Sequence, residues 1–292
     1  MELRNIREQI DEVDAKIRKL FVRRMKLAKE VARVKALTDD EIYKPDRERA
    51  MLETAPDGLP EDLAAGYRAL LNRIMEISRG HQYLLTLRMK NCFPFSFETG
   101  LPSYGRIGIK QDEYDCLKDQ IQEEGRSFDT FSSYADIGKA LKDGRIDAGM
   151  GVMETVGGSV NDELHKLLLT DGLYINRCDV INLSGEYLKT VTFSERLVFR
   201  PEHNRIRIMF TAANRTGIPT ALLFVTGEYD VNITLIHYTP YRDDPDNPWN
   251  YRFFAELEMK GLQEASQPLL YQLYKETQQF RLLGSYLCEG DF

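Results

Sequence analysis

The chain of 292 residues, 42% hydrophobic and 29% charged, has a globular composition and the length of two or three domains. Its 39 Lys and Arg against 46 Asp and Glu leave a formal charge of −7. This excludes a global basic field for nucleic acid and leaves any anionic ligand to individually placed cations. No apolar run nears the roughly 20 residues that cross a bilayer, so no membrane partner is expected. The opening Met-Glu-Leu-Arg-Asn lacks the apolar core of a signal peptide, and Cys92, Cys116, Cys178 and Cys288 are scattered without CxxC spacing. The expectation is a cytoplasmic protein with free thiols and no metal site.

Residues 2–36 contain neither Gly nor Pro, and Leu3, Ile6, Ile10, Val13, Ile17 and Leu20 fall at alternating steps of three and four. That spacing predicts a helix with a heptad seam, continued by Leu27, Val31 and Val34 and interrupted at Arg24. A helix of this length runs about 50 Å, more than a small domain can cover, so a second copy of the chain is expected on the stripe. Pro45 suits the first turn of a short second helix, which Ala55-Pro56-Asp57-Gly58-Leu59-Pro60 ends. A third helix is predicted over 60–87 from Leu63, Tyr67, Leu70, Leu71, Ile74, Ile77 and His81.

The character changes at Asn91, where Phe- and Pro-rich residues form a linker. Beyond it a short strand is predicted over 106–110, helices over 113–124 and 133–143, and a small-residue strand over 146–152. The loop Gly157-Gly158-Ser159-Val160-Asn161 opens a helix through Leu168, and a strand follows over 173–183. This middle stretch reads as α/β. The last stretch reads strand 205–213, helix 218–226, strands 232–239 and 251–259, helix 262–277 and strand 279–287, a βαββαβ order typical of ferredoxin-like α+β domains.

A guanidinium on an apolar seam requires an anionic partner. Lys35, eleven residues after Arg24, lies only about 20° from the same face of the helix. Arg7 is about 25 Å away along the helix and could join them only from an antiparallel partner chain. Bland alternatives stand beside this: Arg24 pairing with a glutamate across a coiled coil, Arg47-Glu48 as a solvated helix start, and Ser78 with Gln82 as an i,i+4 polar pair.

Taken in order, Leu3-Arg4-Asn5-Ile6-Arg7-Glu8-Gln9-Ile10-Asp11-Glu12-Val13-Asp14, Arg23-Arg24-Met25-Lys26-Leu27-Ala28 with Lys35, Tyr43-Lys44-Pro45-Asp46-Arg47-Glu48, and Glu76-Ile77-Ser78 with Gln82 resemble the all-helical chorismate mutases across residues 3–85. The resemblance implies a three-helix, intertwined homodimeric domain over 1–90 that converts chorismate to prephenate, an intramolecular rearrangement needing no nucleophile, metal or cofactor. Arg24, and Arg7 from the other subunit, would clamp the two carboxylates with support from Arg47, and Ser78 would touch a carboxylate. Lys35 and Gln82 would donate to the ether oxygen as the bond breaks, while Glu48 would hold the ring hydroxyl. Lys44 stands where many relatives carry Asp, a position that binds through its backbone N–H.

Such a mutase prompts comparison with the bifunctional P-proteins, in which prephenate dehydratase and an amino-acid-binding ACT domain follow. Glu154-Thr155-Val156-Gly157-Gly158-Ser159-Val160-Asn161 resembles a dehydratase motif, or is simply a Gly-Ser turn before a helix. The family's early glycine loop has no counterpart, and Glu195-Arg196-Leu197 stands where its catalytic Thr-Arg-Phe would be, so residues 91–204 are expected to be a truncated, single-lobed dehydratase-like module. Residues 205–292 resemble an ACT domain, with Gly217, Thr220, Ala221 and Leu222 near its effector motif and His237 either a ligand contact or an ordinary strand residue. An aromatic amino acid, by default phenylalanine, is the implied effector. The rival readings are a working bifunctional mutase and dehydratase, and a non-catalytic amino-acid sensor with a helical dimerisation arm.

Overall fold

The computed structural model describes residues 3–100, 103–121, 125–155, 158–213, 229, 231–241, 250–259 and 266–288. The chain forms two compact units: residues 1–94 with 268–276, and residues 95–267 with 277–292.

Unit 1 is helical. Free of Gly and Pro, α1 (Leu3–Thr38) runs for 36 residues. Pro45 starts α2 (Pro45–Thr54), where its missing N–H costs nothing and Asp46 and Glu48 suit the positive end of the helix dipole. The third helix, α3 (Glu61–Lys90), closes on Asn91, whose left-handed backbone (φ 47°) lets its N–H donate to the Leu87 carbonyl at 2.8 Å. Only Met25, Ala28 and Ala32 of α1 are buried, and α1 packs on α3. The predicted seam is a different stripe: Leu3, Ile6, Ile10, Val13, Ile17, Leu20, Leu27, Val31 and Val34 are each 40–64% exposed. Among the described residues of a single chain, that stripe stays about half exposed.

A fourth helix of unit 1 comes from far along the sequence. From Pro268 onward, α7 (Ser266–Glu276) groups with α1–α3. Its Tyr271 meets Tyr83 edge-on, with ring centroids 5.6 Å apart, and Leu87, Ile42, Cys92 and Phe93 complete the cluster. Read in sequence order this helix goes with the C-terminal strands, yet its packing partners are the N-terminal helices.

Unit 2 carries β1 (Arg106–Lys110), α4 (Gln111–Ile121), β2 (Ser127–Phe131), α5 (Tyr134–Lys142), β3 (Ala148–Thr155), α6 (Asp162–Asp171), β4 (Tyr174–Leu183), β5 (Glu186–Ser194), β6 (Arg205–Ala213), β7 (Asn232–Tyr241), β8 (Asn250–Glu258) and β9 (Gln278–Tyr286). The strands form one mixed sheet in the order β2-β1-β3-β5-β4-β9-β6-β8-β7. The sequence reading expects a middle lobe and a separate C-terminal module; instead a continuous nine-stranded sheet joins them, through a parallel pairing of Ile175 on β4 with Gly284 on β9. It also misses β2 and β5. The latter returns from β4 through Ser184 and Gly185, both at positive φ, a two-residue turn whose twist matches that of the strands. The helix expected over 218–226 lies outside the described residues.

Gly284 permits that junction. At φ 154°, a Cβ there would stand 2.3 Å from the Ile175 carbonyl oxygen. Gly284→Ala is therefore expected to cost at least about 1–3 kcal/mol, since backbone rather than a flexible side chain must move. Thermal unfolding checks this, and an unchanged Tm would refute it. Among the described residues, no helix is long and apolar enough to cross a membrane.

Candidate active site

Three elements of unit 1 converge on a cavity of about 250 Å³. Arg24 and Lys35 reach it from α1, eleven residues and three turns apart, as helical geometry requires of a shared face. Lys44, Arg47 and Glu48 enter from the start of α2, and Ser78, Arg79 and Gln82 from α3, where i, i+1 and i+4 flank one side of the helix. Leu27, Ala28, Val31, Ile42, Met51 and Met75 supply the apolar wall. Five cationic side chains thus face one carboxylate, Glu48. Such a pocket suits a compact, multiply charged anion.

The cations are held in distinct ways. Arg24 donates to the Ile74 carbonyl at 3.1 Å. Burial lowers its pKa, with Glu48 pulling the other way. Lys35 donates to the carbonyls of Glu41 (2.6 Å) and Ile42 (3.0 Å), which leaves one of its three N–H groups uncommitted. Burial also lowers its pKa, partly offset by Asp40. Lys44 pairs with Asp40 at 2.8 Å, and its carbonyl accepts the Glu48 N–H at 3.1 Å, so it caps α2 as well as lining the site. Arg47 is exposed and makes no ion pair among the described residues.

Gln82 donates through Nε2 to the Ser78 carbonyl at 3.2 Å, leaving its second N–H uncommitted, while its buried Oε1 has no partner. An unpaired buried amide oxygen is unfavourable and favours a ligand that donates to it. Glu48 accepts from Arg79 through Oε2, and among the described residues Oε1 accepts nothing.

The structure therefore gathers seven of the sequence-predicted residues, Arg24, Lys35, Lys44, Arg47, Glu48, Ser78 and Gln82, around one cavity. Arg7 is not among them; it is exposed near the start of α1. Nothing local in the sequence distinguishes Arg79, whose partner Glu276 lies 197 residues away.

In unit 2, Glu154 of the dehydratase-like motif is buried and paired with Arg207 at 3.0 Å and Lys189 at 2.9 Å. Asn161, at the motif's end, accepts from the Leu164 N–H at 3.1 Å and caps α6, the role a turn before a helix calls for. His237 lies on β7, with Nε2 3.5 Å from Asp162 Oδ1. Gly217, Thr220, Ala221 and Leu222 lie outside the described residues. Among the described residues, no group of three or more His, Cys, Asp or Glu side chains has metal-binding geometry.

Comparison with curated proteins returns no match. Among solved structures, GqqA, described as a novel type of quorum quenching acylase, aligns at a TM-score of 0.51 with 18% identity over 63% of this chain and 95% of its own. The prephenate dehydratase of Staphylococcus aureus subsp. aureus Mu50 aligns at 0.50 with 9% identity over 62% and 99%. At these identities the likeness is one of fold, carried by the C-terminal region. The N-terminal helices, by contrast, match a family described as chorismate mutase type II over residues 6–83. Those residues, which hold every lining side chain of the cavity, are a type II chorismate mutase domain.

Proposed function

We propose that this cytoplasmic chain is a chorismate mutase, converting chorismate to prephenate, with unit 2 serving regulation rather than dehydration. The observation that carries the reading is the convergence of Arg24, Lys35, Arg47, Glu48, Ser78 and Gln82 on one cavity within the matched family domain. A pericyclic rearrangement needs a fixed substrate shape and stabilisation of charge as it develops. Arg24 and Arg47 meet carboxylates, with Ser78 beside them; Glu48 Oε1 accepts the ring hydroxyl. Lys35 and the second N–H of Gln82 donate to the ether oxygen, whose negative charge grows only as the C–O bond breaks. These last contacts are selective for the transition state and raise kcat.

Incubation of the purified chain with chorismate tests this directly. Prephenate is expected to accumulate without phenylpyruvate, because Leu197 and Glu195 stand in place of the residues the dehydratase motif requires. Phenylpyruvate would establish the bifunctional reading, and no turnover the sensor reading. The ACT-like reading of residues 205–292 implies that phenylalanine alters the rate.

The exposed apolar stripe of α1 supports an antiparallel homodimer in which Arg7 of one copy completes the cavity of the other. Arg7→Ala and Arg24→Ala homodimers are each expected to be nearly inactive. Mixed and re-annealed, they regain up to about a quarter of parental activity, since half the dimers are hybrids and each hybrid holds one intact site of two. No recovery would sink the shared site.

A further inference from the structure

Glu48, the one carboxylate among the described residues that line the cavity, is not held by its own helix. Its Oε2 accepts from Arg79 Nη1, and Arg79 is a bridge: its Nε donates to Glu276 Oε1 at 2.8 Å. The guanidinium also lies over the Tyr43 ring, 4.8 Å from its centroid. Glu276 in turn accepts from Gln272 Nε2 at 3.2 Å. Side-chain exposures along the chain Glu48–Arg79–Glu276 are 18%, 9% and 12%. At such burial a charge left without its partner is strongly unfavourable, so the three groups behave as one ion triad.

We infer that Glu276, at the end of α7 and outside residues 6–83, is a positioning residue of the mutase site, acting through Arg79 to fix Glu48 against the substrate's ring hydroxyl. Anchored at Nε by Glu276, Arg79 engages only one oxygen of Glu48 and leaves Oε1 to the cavity. Without that anchor the guanidinium has Glu48 as its sole counter-ion, can rotate to engage both carboxylate oxygens, and withdraws the acceptor. Matching the family domain alone therefore misses part of the site. The inference rests on the proposed mutase reading and is tested apart from it.

The measurement is kcat/KM of the full chain for chorismate and for an analogue whose ring hydroxyl is replaced by hydrogen. Parental turnover of chorismate is the control for the mutase reading; its absence removes that reading and this inference with it. Given turnover, Glu276→Gln is expected to reduce the preference for the hydroxylated substrate about tenfold, the usual scale of one charge-assisted hydrogen bond. The loss appears mainly in KM, with the analogue's kinetics nearly unchanged. Should Glu276→Gln fail to fold, Glu276→Asp decides, since its shorter side chain draws the carboxylate away from Arg79 Nε while Arg79 and Glu48 stay intact, and the same loss of preference is expected. Equal losses on both substrates would reveal a structural role only, and an unchanged preference would show that Glu276 does not position Glu48. Either outcome overturns the inference.

Discussion

Replacing Lys35 by alanine is expected to lower kcat for chorismate about 10²- to 10³-fold, the usual effect of removing one preorganised donor from a site of developing negative charge. Two N–H groups of Lys35 are already satisfied by the Glu41 and Ile42 carbonyls, so the third is aimed without reorganisation when the ether oxygen gains charge. KM should change far less than kcat, because the contact strengthens in the transition state. Arg24→Ala should lose kcat/KM mainly through KM, from lost carboxylate binding, and so be nearly inactive at chorismate concentrations that saturate the parent. Steady-state kinetics separates the two, with Tm recorded because Lys35 also braces the turn between α1 and α2. A kcat within threefold of the parent would remove Lys35 from the chemistry.

The largest expected effect on stability lies in unit 2. Arg207 is 1% exposed and bonds Glu154 at 3.0 Å and Glu256 at 3.3 Å, while Lys189 bridges the same two carboxylates at 2.9 and 3.1 Å. Tyr286 donates to Glu256 at 2.8 Å, and His165 Nε2 stands 3.2 Å from Arg207. Among the described residues, Arg207→Met leaves Glu154 with Lys189 alone, and Glu256 with Lys189 and a longer pairing to Arg205 at 3.8 Å, and is expected to cost about 3–5 kcal/mol. For a unit of this size that is a fall in Tm of roughly 10 °C or more. A fall under about 2 °C would show that the network relaxes around the loss.

The same network sets an acid limit. Burial alone would raise the Glu256 pKa, but Arg207 and Lys189 outweigh it and hold the carboxyl down at about 2. A carboxyl depressed in the folded state stabilises fully above its unfolded value, and that stabilisation is lost as pH falls from about 4.5 towards 2. In Arg207→Met this loss should shrink, because less of the depression remains to be lost.

Residues 2–36 specify a long helix through an apolar period interrupted at Arg24 and a lack of Gly and Pro, and Pro45 and the prolines around Gly58 punctuate the next two. Such signals are local, and the observed α1, α2 and α3 follow them closely. Spacing within α1 put Arg24 and Lys35 on one face before any tertiary contact forms, whereas the grouping of Lys44, Arg47, Glu48, Ser78 and Gln82 with them was implied only by the resemblance to the mutase family. What sequence order could not supply is pairing across the chain. The merging of nine strands through Ile175 and Gly284 depends on one close backbone approach between residues 109 positions apart. Likewise α7 reads as a helix of the C-terminal strands, yet Tyr271 and Glu276 find Tyr83 and Arg79, 188 and 197 positions away. Helical period dictates which face a residue occupies; only the folded chain decides what that face meets, because burial, which makes an ion triad or an aromatic contact strong, exists only once distant segments exclude water.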